Sequence, residues 1–164
     1  MKIRFTASLL PLSPLIRLWT WSRVSHCEFE FSDGIQIVAA MEAGRIIATR
    51  NRKYLWEYNY ELNITPEQEQ ILRAWCEAEL GKPYDYTALA PLNVLIPRTK
   101  KFWKDPKQWM CSEFCAMGLD LIGIKLFDDE FKKVKPSDLY RKLKTNPVAR
   151  ELTKEQQQCI LSTI

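Results

Sequence analysis

Five cysteines and a single histidine, His26, leave this 164-residue chain few kinds of side-chain chemistry. A thiol activated by an imidazole is one of them. A zinc centre is not: there is one histidine, no C-x-x-C pair, and Cys111 with Cys115 alone cannot complete a tetrahedral shell. No metal and no cofactor is therefore expected. The surroundings of the five cysteines separate them. Cys111 stands where a loop becomes a helix, so its sulfur lies near unpaired backbone N–H groups and the positive end of the helix dipole. That setting favours thiolate, and the same N–H groups can hold an oxyanion. Cys115 is one turn further on at a core-facing position, Cys76 lies inside an amphipathic helix, and Cys159 is near the C-terminal end. Cys27 alternates away from His26 on its strand. Cys111 is thus the expected nucleophile. His26 is the expected base, since the chain has no other imidazole.

These two residues must be positioned by a β-rich first half and a helical second half. Lys2 to Ala7 reads as a strand, and Pro14 to Trp21 as a helix. Ser25 to Phe31 alternates His26, Glu28 and Glu30 with Cys27, Phe29 and Phe31, the pattern of a half-buried strand. Asp33-Gly34 turns it into a hairpin with Ile35 to Met41. Arg45 to Thr49 and Lys53 to Leu62 read as further strands, the second placing Tyr54, Trp56, Tyr58 and Tyr60 on one packing face. Thr65-Pro66-Glu67-Gln68 starts a helix with a capping box, buried through Ile71, Leu72 and Trp75 and closed at Gly81. Pro83 to Leu92 reads as a short helix or irregular segment, and Pro97 to Lys107 as a basic loop. Cys111 to Ile122 is a predicted helix buried through Phe114, Met117 and Leu121 and stopped near Gly123. Pro136 to Leu143 and Thr153 to Leu161 complete the helices. The predicted fold class is α+β, an antiparallel sheet with helices packed on one side.

Composition sets the outer limits. The length suits one domain, 1–164 with a core over about 20–145, and 46% hydrophobic with 27% charged residues describes a globular chain. The net charge of +4 is spread widely. The basic clusters Arg45–Lys53 and Lys100–Lys107 read as solvated surface, so nucleic-acid binding is not expected. An odd number of cysteines without paired spacing points to a reducing compartment, cytoplasmic, with Met1 to Trp21 too interrupted for an export signal or a membrane span.

Four segments carry a resemblance. Ser25-His26-Cys27-Glu28-Phe29-Glu30 with its Asp33-Gly34 turn resembles the histidine strand of the permuted NlpC-type papain-like hydrolases, the YiiX-like branch, in which that strand precedes the cysteine helix. Trp109-Met110-Cys111-Ser112-Glu113-Phe114 is similar to the family's W-x-C-S-E motif. Gly81-Lys82-Pro83-Tyr84-Asp85-Tyr86 is similar to its G-x-P-Y-D segment, and Pro136-Ser137-Asp138-Leu139 to its P-S-D-L helix start. The four stand in family order over about residues 20 to 140.

The resemblance implies a circularly permuted papain-like fold and a cysteine peptidase or amidase, with Cys111 as nucleophile and His26 as base. It puts Tyr84 beside the nucleophile; Tyr84, Tyr86 and Glu28 are the candidate substrate-binding residues. It also implies a polar residue on the strand after the histidine strand, to orient the imidazole. In this chain Ala40 or Met41 faces His26, and neither can do so. Glu42 is the nearest carboxylate by that count, with Gln36 and Glu28 less well placed, and a backbone carbonyl or water is the remaining choice. The implied substrates are peptide-like amides, cell-wall peptides included, or acyl esters, handled through an acyl-enzyme. The family occurs in phages and bacteria. The alternative reading is a catalytically weak or inactive papain-like binding protein, such as a phage factor docking on a host component through its aromatic strand and basic loops.

Overall fold

The computed structural model describes residues 1–7, 13–14, 17–18, 21–52, 54–86, 107–128 and 134–153. Within them lie six strands, β1 (Lys2–Ala7), β2 (His26–Glu30), β3 (Gln36–Ala40), β4 (Arg45–Thr49), β5 (Trp56–Leu62) and β6 (Ala149–Glu151). Three helices follow β5: α1 (Pro66–Ala78), α2 (Cys111–Leu121) and α3 (Pro136–Lys144). The strands form one antiparallel sheet in the order β4-β3-β2-β1-β5-β6, with the helices packed on it. This is the expected α+β class. Strand β6 carries no apolar pattern in Ala149-Arg150-Glu151 and is not predicted from its sequence; backbone pairing with β5 makes it a strand. Of the expected helix over Pro14–Trp21 the described residues are Pro14, Arg17, Leu18 and Trp21, the first three helical; most of Thr153–Leu161, of Pro83–Leu92 and of the basic loop, and Cys159, lie outside the described residues.

The alternation in β2 is realised on a sheet buried on both faces. Cys27 and Phe29 look toward the helices, the Phe29 ring lying 6.1 Å from that of Phe114 in α2. On β1 the same face carries Phe5, which meets Tyr60 of β5 at 5.8 Å and Tyr140 of α3 at 5.4 Å. His26, Glu28 and Glu30 look the other way, and antiparallel register sets Thr6, Arg4 and Lys2 beside them. This second face is polar, yet Arg4, Thr6, His26, Glu28, Gln36 and Asn59 on it are all buried.

The aromatic strand is shorter than its sequence pattern. Regular pairing begins at Trp56, so Tyr58 and Tyr60 pack against Tyr140 as a core layer while Tyr54 leaves that stripe. Asn51, at φ +55, turns the chain after β4. The Arg52 N–H then donates to Gln36 Oε1 at 3.3 Å, and Arg4 Nη2 to the Arg52 carbonyl at 3.5 Å, which straps this segment over the polar face.

Helix α1 starts as predicted. Gln68 N–H donates to Thr65 Oγ1 at 3.2 Å, and Thr65 N–H to Gln68 Oε1 at 2.9 Å. Its buried stripe is Leu72 and Cys76, with Trp75 half-buried; Ile71 is 53% exposed, one residue off the stripe. Helix α2 differs from expectation in the same way. Cys111, Phe114, Cys115, Gly118 and Leu119 are buried at spacings of three and four, whereas Met117 and Leu121 fall on the outer face. Gly118 permits the close approach: an added Cβ would come within 2.7 Å of Leu72 Cδ1 and 2.9 Å of Phe29 Cε2.

Gly118→Ala therefore overpacks the junction of α1, α2 and β2. The strain of about 1–3 kcal/mol exceeds the roughly 1 kcal/mol that alanine contributes as a helix former. Urea denaturation should show a net loss of stability, greater for Gly118→Val; a more stable alanine variant would contradict this packing.

Candidate active site

Three aromatic rings fix where α2 begins. Trp75 of α1 stacks on Phe114 at 4.9 Å and meets Trp109 edge-on at 5.7 Å. The Trp109 indole Nε1 donates to Glu79 Oε2 at 2.5 Å, and Glu79 is held in turn by Lys82. Two backbone bonds complete the arrangement: Trp109 N–H donates to the Pro83 carbonyl at 3.0 Å, and Asp85 N–H to that of Trp109 at 3.0 Å. Gly81-Lys82-Pro83-Tyr84-Asp85 and Trp109-Met110-Cys111 are thereby laid side by side. Cys111 is the first residue of α2, after an extended Met110, and the first intrahelical bond runs from Phe114 N–H to the Met110 carbonyl at 2.9 Å.

Cys111 is buried, 2% exposed as a residue. Its neighbours are Cys27, His26 and the hydroxyl of Tyr84. A hydrogen bond with Cys27 and then burial push the thiol well above its ordinary value, while the charge and hydrogen bond of His26 draw it down. The net direction is up. A helix start alone favours thiolate; in the folded chain, the second thiol and the loss of water outweigh it. Burial foremost, followed by the nearby Cys111, likewise raises the Tyr84 hydroxyl, so Tyr84 faces Cys111 as a neutral group. Cys27 does alternate away from His26, but the helix-facing side of β2 is where α2 starts. The sequence signal for that contact is its shared parity with Phe29 and Phe31.

His26 opens β2, with its Nε2 3.9 Å from Glu28 Oε2. Glu28 is fully buried, with partners from β1 and from the segment after β4. Tyr54 donates its hydroxyl to Oε2 at 2.5 Å, Arg4 Nη1 lies 3.2 Å from Oε1, and Arg52 Nη1 is 3.9 Å from Oε2. Burial pushes the Glu28 carboxyl up, and Arg4, Tyr54 and Arg52 pull it back without cancelling the rise. Tyr54 is itself pushed up, by burial and by Glu28, and so stays a neutral donor. For Arg4, burial opposes the charge, but Glu28, Glu57 and Glu30 outweigh it. Glu30 is held below its usual range because Lys2, Arg4 and Gln36 overcome its burial.

Glu42 lies elsewhere. It sits in the turn between β3 and β4, paired with Arg52 Nη2, and Arg52 Nη1 in turn lies 3.9 Å from Glu28 Oε2. Glu28, read from the sequence as a substrate-side residue, is the carboxylate beside the imidazole. The pairing of β2 with β3 covers Phe29–Ile37 and Glu30–Gln36. Tyr86 is 51% exposed; its ring lies 5.1 Å from that of Tyr84, and its hydroxyl donates to the Met41 carbonyl at 2.5 Å. Arg4, Arg52 and Tyr54 are parts of the site that the sequence does not announce. They come from β1 and from the segment between β4 and β5, and no local motif marks them.

The solved structure of yiiX from Escherichia coli O157:H7 superposes with a TM-score of 0.52 over 93% of this chain and 95% of that one, at 18% identity. The fold is similar to that of yiiX. No family model and no curated protein matches the sequence. The yiiX protein is described as a metalloprotein. Among the described residues of this chain, no three His, Cys, Asp or Glu side chains gather as a metal site. The His26–Glu28 pair is a poor start for one, since the guanidinium groups of Arg4 and Arg52 lie 3.2 and 3.9 Å from the carboxylate and repel a cation. No described helix is long and apolar enough to cross a membrane.

The thiol shift has a measurable sign. Alkylation of Cys111 by iodoacetamide, followed by peptide mass spectrometry, should climb about tenfold per pH unit through the ordinary thiol range near pH 8.5 without levelling. Cys27→Ala should move the curve to lower pH and His26→Ala to higher pH. A plateau at neutral pH in the unmodified chain would mean that the thiol is not raised.

Proposed function

We propose that this protein is a cysteine hydrolase of the permuted papain-like kind, cleaving an amide or ester through an acyl-enzyme on Cys111. The observation that carries the reading is that the chain's sole histidine and the first residue of α2 meet, although they are 85 positions apart, being residues 26 and 111. In this mechanism His26 takes the thiol proton as Sγ attacks the carbonyl carbon. The N–H groups of Cys111 and Ser112, which precede the first intrahelical bond, receive the oxyanion. His26 returns the proton to the leaving amine or alcohol, and water, deprotonated by His26, then releases the acyl group. The raised thiol makes this a concerted proton transfer rather than attack by a thiolate stored at rest. Peptide-like amides, cell-wall peptides among them, and acyl esters are the substrate classes that suit it.

The thiol shift also favours a second reading, a papain-like scaffold that binds a partner without turnover. An activated ester separates the two. With p-nitrophenyl acetate, the hydrolase reading expects a burst of nitrophenolate and a mass increase of one acetyl group on Cys111. Both should be lost in Cys111→Ala, and the acylation rate should fall by about 10²–10⁴ in His26→Ala. Equal, burst-free hydrolysis by the unmodified chain and Cys111→Ala would leave the binding scaffold.

A further inference from the structure

We infer that Glu28 is the positioning residue for His26: it keeps the proton of the neutral imidazole on Nε2 and so makes Nδ1 the basic atom. The catalytic meaning of this assignment rests on the hydrolase reading; the tautomer itself does not.

The two residues stand at i and i+2 of one strand, both facing the polar side of the sheet and both buried. His26 Nε2 is 3.9 Å from Glu28 Oε2, beyond a hydrogen bond but within reach of charge. Among the described residues, neither His26 Nε2 nor Glu28 Oε1 has a hydrogen-bond partner. Buried polar atoms are rarely left so; Oε1 faces Arg4 Nη1 at 3.2 Å, and Nε2 faces Glu28 through Oε2. Of the two neutral tautomers, only one is compatible with this neighbour. A proton on Nε2 points at a carboxylate; a lone pair on Nε2 would oppose the carboxylate's own. The protonated atom then fixes the other, and Nδ1 carries the lone pair that accepts the thiol proton.

The charges around the imidazole favour the same assignment. On the polar face, β1 contributes Lys2 and Arg4, and the segment after β4 contributes Arg52 and a neutral Tyr54. Glu30 is engaged by Lys2, Glu57 by Arg4, and Glu42 by Arg52. Glu28 is the carboxylate that the structure sets against the ring. It cannot swing away, because Tyr54 grips Oε2 and Arg4 sits at Oε1. The rings and guanidinium groups around it are stacked as well, with Arg4 and Arg52 5.3 and 5.5 Å from the Tyr54 centroid.

His26 being the sole histidine, ¹⁵N-histidine labelling of the full chain gives one imidazole, whose two nitrogens report the tautomer directly. With the ring neutral, the Nε2–H form should dominate in the unmodified chain and in Cys111→Ala. Glu28→Gln, which keeps an acceptor, should retain that form, and Glu28→Ala should give a mixture of tautomers. In acetyl transfer from p-nitrophenyl acetate, Glu28→Ala should lower kcat at least about tenfold with little change in KM, and Glu28→Gln should restore most of it. A dominant Nδ1–H form in the unmodified chain overturns the inference, even where Glu28→Ala fails to fold. So does an unchanged tautomer in a folded Glu28→Ala. Failure of the hydrolase reading looks different: Cys111 would take no acetyl group while the Nε2–H form persisted.

Discussion

Taking the Glu28 carboxylate out of water sets requirements that reach across half the sheet. A buried ion loses several kcal/mol of hydration, even after relaxation, unless its neighbours replace the water. Here the replacements come from Arg4 on β1 and from Tyr54 and Arg52 after β4. Arg4 is available only because β1 lies beside β2 in the register that pairs it with Glu28. Tyr54 and Arg52 are available only because the chain turns at Asn51 and is held by Gln36 and Arg4. Arg4 must itself be answered, and Glu30 and Glu57 do so from β2 and β5. Strand order, register and one loop conformation are thus tied to a single carboxylate.

The opposite face of β2 obeys a different constraint. There the requirement is apolar contact, met by Phe29 against Phe114 and by the absent side chain at Gly118. His26 and Cys27 lie at the end of the strand where these two regimes meet. Close packing brings Cys27 against Cys111 and buries both thiols, which raises them. The imidazole approaches from the polar side and works against that rise. Packing and reactivity oppose each other at one sulfur atom, and on the hydrolase reading a substrate has to supply what tips the balance.

Much of this is legible in the residues, and what is not has a physical reason. The alternation of His26 to Phe31, the Asp33-Gly34 turn and the Thr65 capping box are local signals, set by side-chain parity, a positive φ at Gly34 and reciprocal hydrogen bonds. Cys111 as the first residue of a helix is equally local. The faces of α1 and α2 are harder, because Ile71, Met117 and Leu121 are apolar yet lie beside the buried stripe rather than in it. Hydrophobicity marks a face only when its outer neighbours are polar. The partners of Glu28 are beyond any local reading. Which arginine or tyrosine meets a strand residue depends on register across strands, and Tyr54 looks like part of an aromatic row that in fact begins at Trp56. Glu42 is the nearer carboxylate by distance along the hairpin, but its turn faces Arg52.

Placing a carboxylate on the histidine's own strand, instead of on the next one, changes what the pair depends on. Residues at i and i+2 are held roughly 6–7 Å apart by the backbone itself, so their relation survives slippage between strands. A cross-strand partner would be lost by a one-residue slip, which turns every side chain to the other face. The i, i+2 spacing also leaves the two groups side by side rather than face to face, which accounts for a separation of 3.9 Å instead of a short hydrogen bond. What the arrangement gives up in closeness, burial partly returns, because charge acts further in a medium with little water. It also makes the pair answer to Arg4 and Arg52, which pull the Glu28 carboxyl down while burial lifts it. An 18% identical chain can share this fold without sharing any of these contacts. The chemistry has to be judged on the polar face of the sheet, where the identity of each charged residue, rather than the path of the backbone, decides which nitrogen of His26 carries the proton.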